Sequence, residues 1–235
     1  MSKYLLLPLL LLFATHFCFA QLQFVQNKGQ WDMAVDFKSD IPNGAFYLER
    51  TGFTVVMHSE KDMEAFAEQM HGHSDKDVKA AARATQPSPA PFKISNEPVT
   101  IRSHAYKVNF VGASALVQVI PEKALPTYNN YILGNDQSKW QGNCKIYQVV
   151  TYKDIYPNID ARYYTDKGTL KYDLIVHPGG NIENIALKYE GADKLSIQNK
   201  ELVIGTSVGD VKELYPYTYQ VMDKGRETLE CKYVL

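Results

Sequence analysis

The side chains best suited to chemistry fall in one stretch, where His71, His73, Asp75 and Asp77 alternate as His-x-His-x-Asp-x-Asp. Imidazole nitrogens and carboxylate oxygens together hold divalent ions such as zinc or manganese, so His71, His73 and Asp75 are the metal candidates. No distant ligand can be named to complete such a site. The stretch also lies between a helix end and a proline-rich loop, where solvated polar residues are expected, and that reading outweighs the metal. His58, His104 and His177 are isolated, the last ahead of Pro178-Gly179-Gly180 in a turn; surface or packing roles are expected for all three. No Gly-x-Ser-x-Gly elbow, no His-Glu-x-x-His pair and no phosphate-binding glycine loop between strand and helix is recognised. Paired carboxylates of the glycosidase kind meet only in the fold and cannot be read from spacing. The expectation is a chain with no catalytic residue and no cofactor.

Sixteen tyrosines are the other resource. They gather as Tyr152 with Tyr156, Tyr163 with Tyr164, and Tyr215, Tyr217 with Tyr219. Exposed rings of this kind stack on sugars or anchor a protein partner, but aromatic residues are also ordinary strand residues that bury large area. Residues two apart on a strand share a face and neighbours oppose. Tyr217 and Tyr219 are therefore read as one face, and Tyr163 and Tyr164 as two.

The elements that carry these residues are mostly strands. Val35 to Lys38 alternates with period two, Ile41 to Gly44 is a turn, and Ala45–Glu49 with Phe53–His58 form a hairpin across Arg50-Thr51-Gly52. Ser59 reads as an N-cap with Asp62 three residues on. Met63, Phe66, Ala67 and Met70 then fall at helical spacing, giving about three turns that end at Gly72. A second short helix over 75–84 gives way to the prolines of 86–91, which form a linker or loop. Beyond residue 99 the pattern is almost wholly β: Thr100 to Val111, Leu116 to Ile120, a break at Pro121, Tyr128 to Leu133, the hairpin 160–176, and Ile185 to Tyr189. Leu195 and Ile197 face Leu202 and Ile204 across Asn199-Lys200, and a last pair, 217–222 with 228–234, turns at Asp223 to Gly225. Consecutive hairpins that bury alternate residues favour an all-β, mainly antiparallel fold of two packed sheets, sandwich-like, with one or two short helices around 59–84.

Lys3 followed by the apolar run Tyr4 to Ala14, closed by Ala20, reads as a secretory leader over 1–20. Its apolar core is too short for a membrane span, and no later run matches it. A lipoprotein signal at Cys18 is disfavoured by the residues before it. The mature chain, 21–235, carries 24 basic against 26 acidic residues, a net charge of -2, without the clustered basic face of a nucleic-acid binder. It keeps Cys144 and Cys231, which either pair in an oxidising compartment or remain free thiols.

Phe24-Val-Gln-Asn-Lys-Gly-Gln-Trp31, Asn130-Tyr-Ile-Leu-Gly-Asn-Asp-Gln-Ser-Lys-Trp140, Tyr152-Lys-Asp-Ile-Tyr-Pro-Asn-Ile-Asp-Ala-Arg-Tyr-Tyr164, Leu170-Lys-Tyr-Asp-Leu-Ile-Val-His-Pro-Gly179 and Lys188-Tyr-Glu-Gly-Ala-Asp193 resemble the N-terminal domain of large bacterial surface proteins. Residues 59–98 stand apart as a variable insertion. Such proteins continue into SBBP-type β-propeller repeats or other β modules and end in a gliding-motility-associated C-terminal sorting domain. The resemblance implies export by the type IX route, a secreted or cell-surface location, and a structural or adhesive role with no activity to carry over. Glycans or cell-surface proteins are the partners it suggests, with downstream β domains of the same polypeptide. The chain stops mid-strand at Tyr233-Val234-Leu235, and a longer natural polypeptide is expected.

Overall fold

The computed structural model describes residues 22–71 and 98–235. Alternating burial begins with β1 (Phe24–Gln26), β2 (Val35–Ile41), β3 (Gly44–Glu49) and β4 (Gly52–His58). These run as an antiparallel meander in which two-residue turns join β2 to β3 and β3 to β4, and the expected hairpin closes at Arg50-Thr51 with Gly52 already in β4. Gly44 and Gly52 begin β3 and β4 because nothing larger fits. A Cβ on either would sit 2.0 Å from the carbonyl oxygen of Val56 or Val108 on the neighbouring strand.

The chain then enters α1 (Glu60–His71). The Ser59 hydroxyl accepts the Asp62 amide at 3.3 Å, as the capping pattern predicts. The helical stripe is present but not covered: Phe66 and Met70 are exposed. The second helix, the proline run and the helix stop at Gly72 lie outside the described residues.

Among the described residues eleven further strands follow: β5 (Ser103–Phe110), β6 (Gln118–Tyr131), β7 (Gln141–Tyr156), β8 (Ile159–Asp166), β9 (Thr169–Val176), β10 (Leu187–Glu190), β11 (Lys194–Gln198), β12 (Glu201–Gly205), β13 (Val211–Glu213), β14 (Thr218–Met222) and β15 (Gly225–Leu229). The break expected at Pro121 does not occur, since β6 runs through both Pro121 and Pro126. It pairs only with β7 and forms an edge, where a residue without an N–H costs no ladder bond. The last strand also differs from its reading, because the turn is only Asp223-Lys224 and Met222 pairs directly with Gly225.

The fold is all-β and mainly antiparallel, and its two facing layers are opposite walls of one sheet. The ladder runs β10-β5-β4-β3-β2-β1-β7-β8-β9, with β6 on the other side of β7. β7 spans 16 residues and is shared: Ile146 and Tyr147 pair with β1, while Val149 to Tyr156 pair with β8. Strands β3 and β8 are four spacings apart, about 19 Å on a flat sheet. Yet the Phe46 and Tyr163 rings are 6.0 Å apart, and Phe53 of β4 lies 5.9 Å from Tyr172 of β9. The sheet is therefore rolled, and these rings fill its inside with Phe24, Leu48, Val108, Tyr152 and Ile159. A second sheet, β11-β12-β13, adds Leu202 and Ile204 to the same core. Its register, Leu195 to Ile204 and Ile197 to Leu202, is the one read from sequence.

Candidate functional site

Three polar constellations contain groups able to do chemistry. The first lies on the turn between β12 and β13, where Gly205-Thr206-Ser207-Val208-Gly209 matches the letters Gly-x-Ser-x-Gly. The expectation of no such elbow overlooked these letters, which here join two strands rather than a strand and a helix. His104 of β5 reaches this turn. Its Nδ1 lies 3.0 Å from Ser207 Oγ and accepts the Ser207 amide at 3.1 Å, while Nε2 donates to the Gly191 carbonyl at 2.7 Å. A carbonyl only accepts and an amide only donates, so the ring is neutral with its proton on Nε2. A hydroxyl beside an oriented imidazole is the nucleophile–base arrangement. Acyl transfer also needs free N–H donors at the developing oxyanion, and this turn has committed them. Ser207 N–H serves His104, Val208 N–H goes to Thr206 Oγ1 at 3.3 Å, and Gly209 N–H goes to the Thr206 carbonyl. The histidine ties β5 to the smaller sheet.

The second constellation joins Lys153 of β7, Asp160 of β8 and His177 just after β9. Asp160 is 1% exposed. One of its oxygens takes both the Lys153 ammonium and His177 Nε2, the latter at 2.7 Å. The other accepts the Asp154 amide at 2.9 Å. Asp154 itself has φ 55 in the irregular stretch of β7 between Tyr152 and Tyr156, and its carboxylate accepts the Asn158 amide. Burial alone would raise the Asp160 carboxyl, but His177, Lys153 and the Asp154 amide hold it below its ordinary value. A buried carboxylate against an imidazole resembles half of a catalytic triad, yet among the described residues no hydroxyl or thiol is bonded to the other ring nitrogen. The group clamps the bulge, the β7–β8 turn and the His177-Pro-Gly-Gly turn together. All three residues lie in segments singled out in sequence, though only the fold brings them together.

The third sits where the roll closes. β9 and β10 are the two ends of the ladder, and each offers a tyrosine to Glu213 of β13: Tyr172 donates to one carboxylate oxygen at 2.9 Å and Tyr189 to the other at 2.7 Å. Tyr233 stands beside this carboxylate and donates its proton to the Leu214 carbonyl. Burial raises the Glu213 carboxyl despite these donors, and burial beside that carboxylate raises the Tyr172 and Tyr189 phenols. Glu213 is a clasp across the open seam, and sequence reading had no signal for it.

The other sequence candidates divide cleanly. His71 ends α1, and His73, Asp75 and Asp77 lie outside the described residues. Among the described residues no group of three His, Cys, Asp or Glu is arranged to hold a metal, and no helix is long and apolar enough to cross a membrane. Cys144 and Cys231 are free thiols. Cys144 packs with Val25 and Ile146, where burial pushes its thiol up and so disfavours the nucleophilic form, whereas Cys231 follows β15 near Tyr233. Tyr152, Tyr156 and Tyr163 are core residues. Tyr164, on the opposite face from Tyr163, donates to Asp173. Only the Tyr215 to Tyr219 group is exposed.

Comparison with curated proteins and with solved structures finds no match. Residues 24–235 match the family DUF7948, described as a domain of unknown function, so the rolled sheet, its clasp and the C-terminal hairpin all fall within that span, and the chain belongs to this family.

Proposed function

We propose that this chain is a non-catalytic extracellular or cell-surface module, structural or adhesive, at the front of a larger exported protein. The leader-like residues 1–20 and the resemblance to N-terminal domains of surface proteins carrying SBBP repeats or a gliding-motility-associated sorting domain support the setting. The observation that carries the non-catalytic part is the commitment of the donors around Ser207: the best nucleophile–base pair is built into a turn whose Ser207, Val208 and Gly209 amides have partners inside the fold. The acidic and phenolic groups elsewhere are likewise used to bind strands together.

An activity-based fluorophosphonate, which phosphonylates only activated serines with loss of fluoride, tests this directly. The purified protein is expected to stay unlabelled, and labelling that vanishes in Ser207→Ala would overturn the reading. Export is checked by mass spectrometry of protein from the culture medium, where the chain is expected to begin at Gln21. An intact N-terminus retained inside the cell would remove that part. The alternative of a glycan-binding module is favoured by one observation, the exposed pair Tyr217 and Tyr219.

A further inference from the structure

Strands β14 and β15 form a two-stranded sheet of their own, with no buried residue. Tyr217, Tyr219 and Val221 alternate along one side, and the direct cross-strand partners of Tyr219 and Val221 are Thr228 and Arg226, which therefore share that face. Gln220 and Glu227 pair on the reverse. The Tyr217 and Tyr219 rings stand 5.6 Å apart, and the Arg226 guanidinium lies 4.4 Å from the Tyr219 ring centre. Just upstream, Lys200 stands over the Tyr215 ring at 5.4 Å.

Two features separate this face from an ordinary exposed strand. Tyr217 is 71% and Tyr219 37% exposed, and among the described residues neither hydroxyl has a hydrogen-bond partner. Neither Arg226 nor Lys200 has a carboxylate partner among those residues, although most charged side chains of the rolled sheet are paired. A guanidinium laid against a ring keeps its in-plane N–H donors outward, in the fork that fits a carboxylate.

We propose that the Tyr217–Tyr219–Arg226 face is a binding platform for acidic glycans, polymers of uronic-acid sugars. The proposal rests on the extracellular, non-catalytic reading and names a ligand class for it. The C–H faces of pyranose rings lie on the two tyrosines. Sugar hydroxyls meet the free phenols and Thr228, and a uronate carboxylate meets the Arg226 fork. Single-stranded nucleic acid also stacks on aromatic rings beside cations, but it needs a basic groove, and this face carries one cation on a chain with more acidic than basic residues.

The test is retention of the purified protein on immobilised polygalacturonate, alginate and hyaluronan, each beside its methyl-esterified form, with single-stranded oligothymidylate as a further arm. Binding to at least one acidic polymer is expected, weakened about tenfold by esterification. Arg226→Gln should reduce the acidic polymer to the esterified level, Arg226→Lys should restore part of the difference, and Tyr217→Ala should weaken both forms. Circular dichroism should be unchanged throughout, because Tyr217 and Arg226 are exposed and belong to neither core cluster. No retention on any acidic polymer, equal retention of the esterified forms, tighter binding of oligothymidylate, or indifference to Tyr217→Ala would each overturn the platform. All of those outcomes leave the non-catalytic reading standing; release of new reducing ends from a retained polymer would instead remove that reading.

Discussion

Tyr163 and Tyr219 occupy comparable places: each sits on an antiparallel hairpin strand, Tyr163 directly across from Tyr172 and Tyr219 directly across from Thr228. The first is 1% exposed and the second 37%. Tyr163 is enclosed because the sheet rolls over it, bringing Phe46, Phe53 and Tyr152 within ring contact from other strands. Tyr219 meets only its own hairpin, in Tyr217 and Arg226. Alternation decides which residues share a face, and long-range closure decides whether that face is covered. The buried tyrosines of the body therefore stabilise, whereas those of the hairpin are left open to solvent.

Substitution tests this contrast most sharply at its extremes. Tyr163→Ala empties the centre of the roll and should cost about 3–5 kcal/mol in urea unfolding; a loss below about 1 kcal/mol would mean the two regions are alike. Asp160→Ala leaves the Asp154 amide without its acceptor and His177 and Lys153 without their carboxylate, and should cost about 2 kcal/mol by the same measure.

The acidic groups also give the body a pH signature. The Asp160 carboxyl is held below its ordinary value of 3.8, so its stabilisation is present above that value and is lost as pH falls through the lower folded one. Glu213 has the opposite sign. Its folded value lies above the ordinary 4.5, so the folded state binds the proton more tightly and stability declines as pH rises from 4.5 through the raised value. Melting temperatures across that interval should lose this decline in Glu213→Gln and keep it in Asp160→Asn. At the small end, Tyr217→Ala should change unfolding stability by no more than about 0.5 kcal/mol, while weakening retention on the acidic polymers.

What could be read from sequence was local. The cap at Ser59, the Arg50-Thr51 turn and the β11–β12 register follow from neighbouring residues. In that register Asn199 and Lys200 both adopt positive φ, the geometry of a tight two-residue hairpin turn. Pro121 was misread because its tolerance depends on β6 having one partner, which is a property of the assembled sheet. Roll and clasp were invisible for the same reason: Phe24 meets Tyr147, and Tyr172 and Tyr189 meet Glu213, across separations that no periodicity reports. The Lys153–Asp160–His177 group lay within quoted segments, yet His177 looked solitary because its partner is 17 residues away. Ser207 differs from these cases, since its glycine spacing stands in the sequence and the expectation of no Gly-x-Ser-x-Gly elbow overlooked it.

The join between β9 and β10 has one further consequence. Every other neighbouring pair along the main ladder is held by peptide hydrogen bonds, whereas this pair meets through two phenols and one acid. Among the described residues, this seam has no ladder hydrogen bonds that must break before it opens. A reagent that nitrates or iodinates phenols should therefore report opening of this seam as faster reaction at Tyr172 and Tyr189, which are half-buried while it is closed.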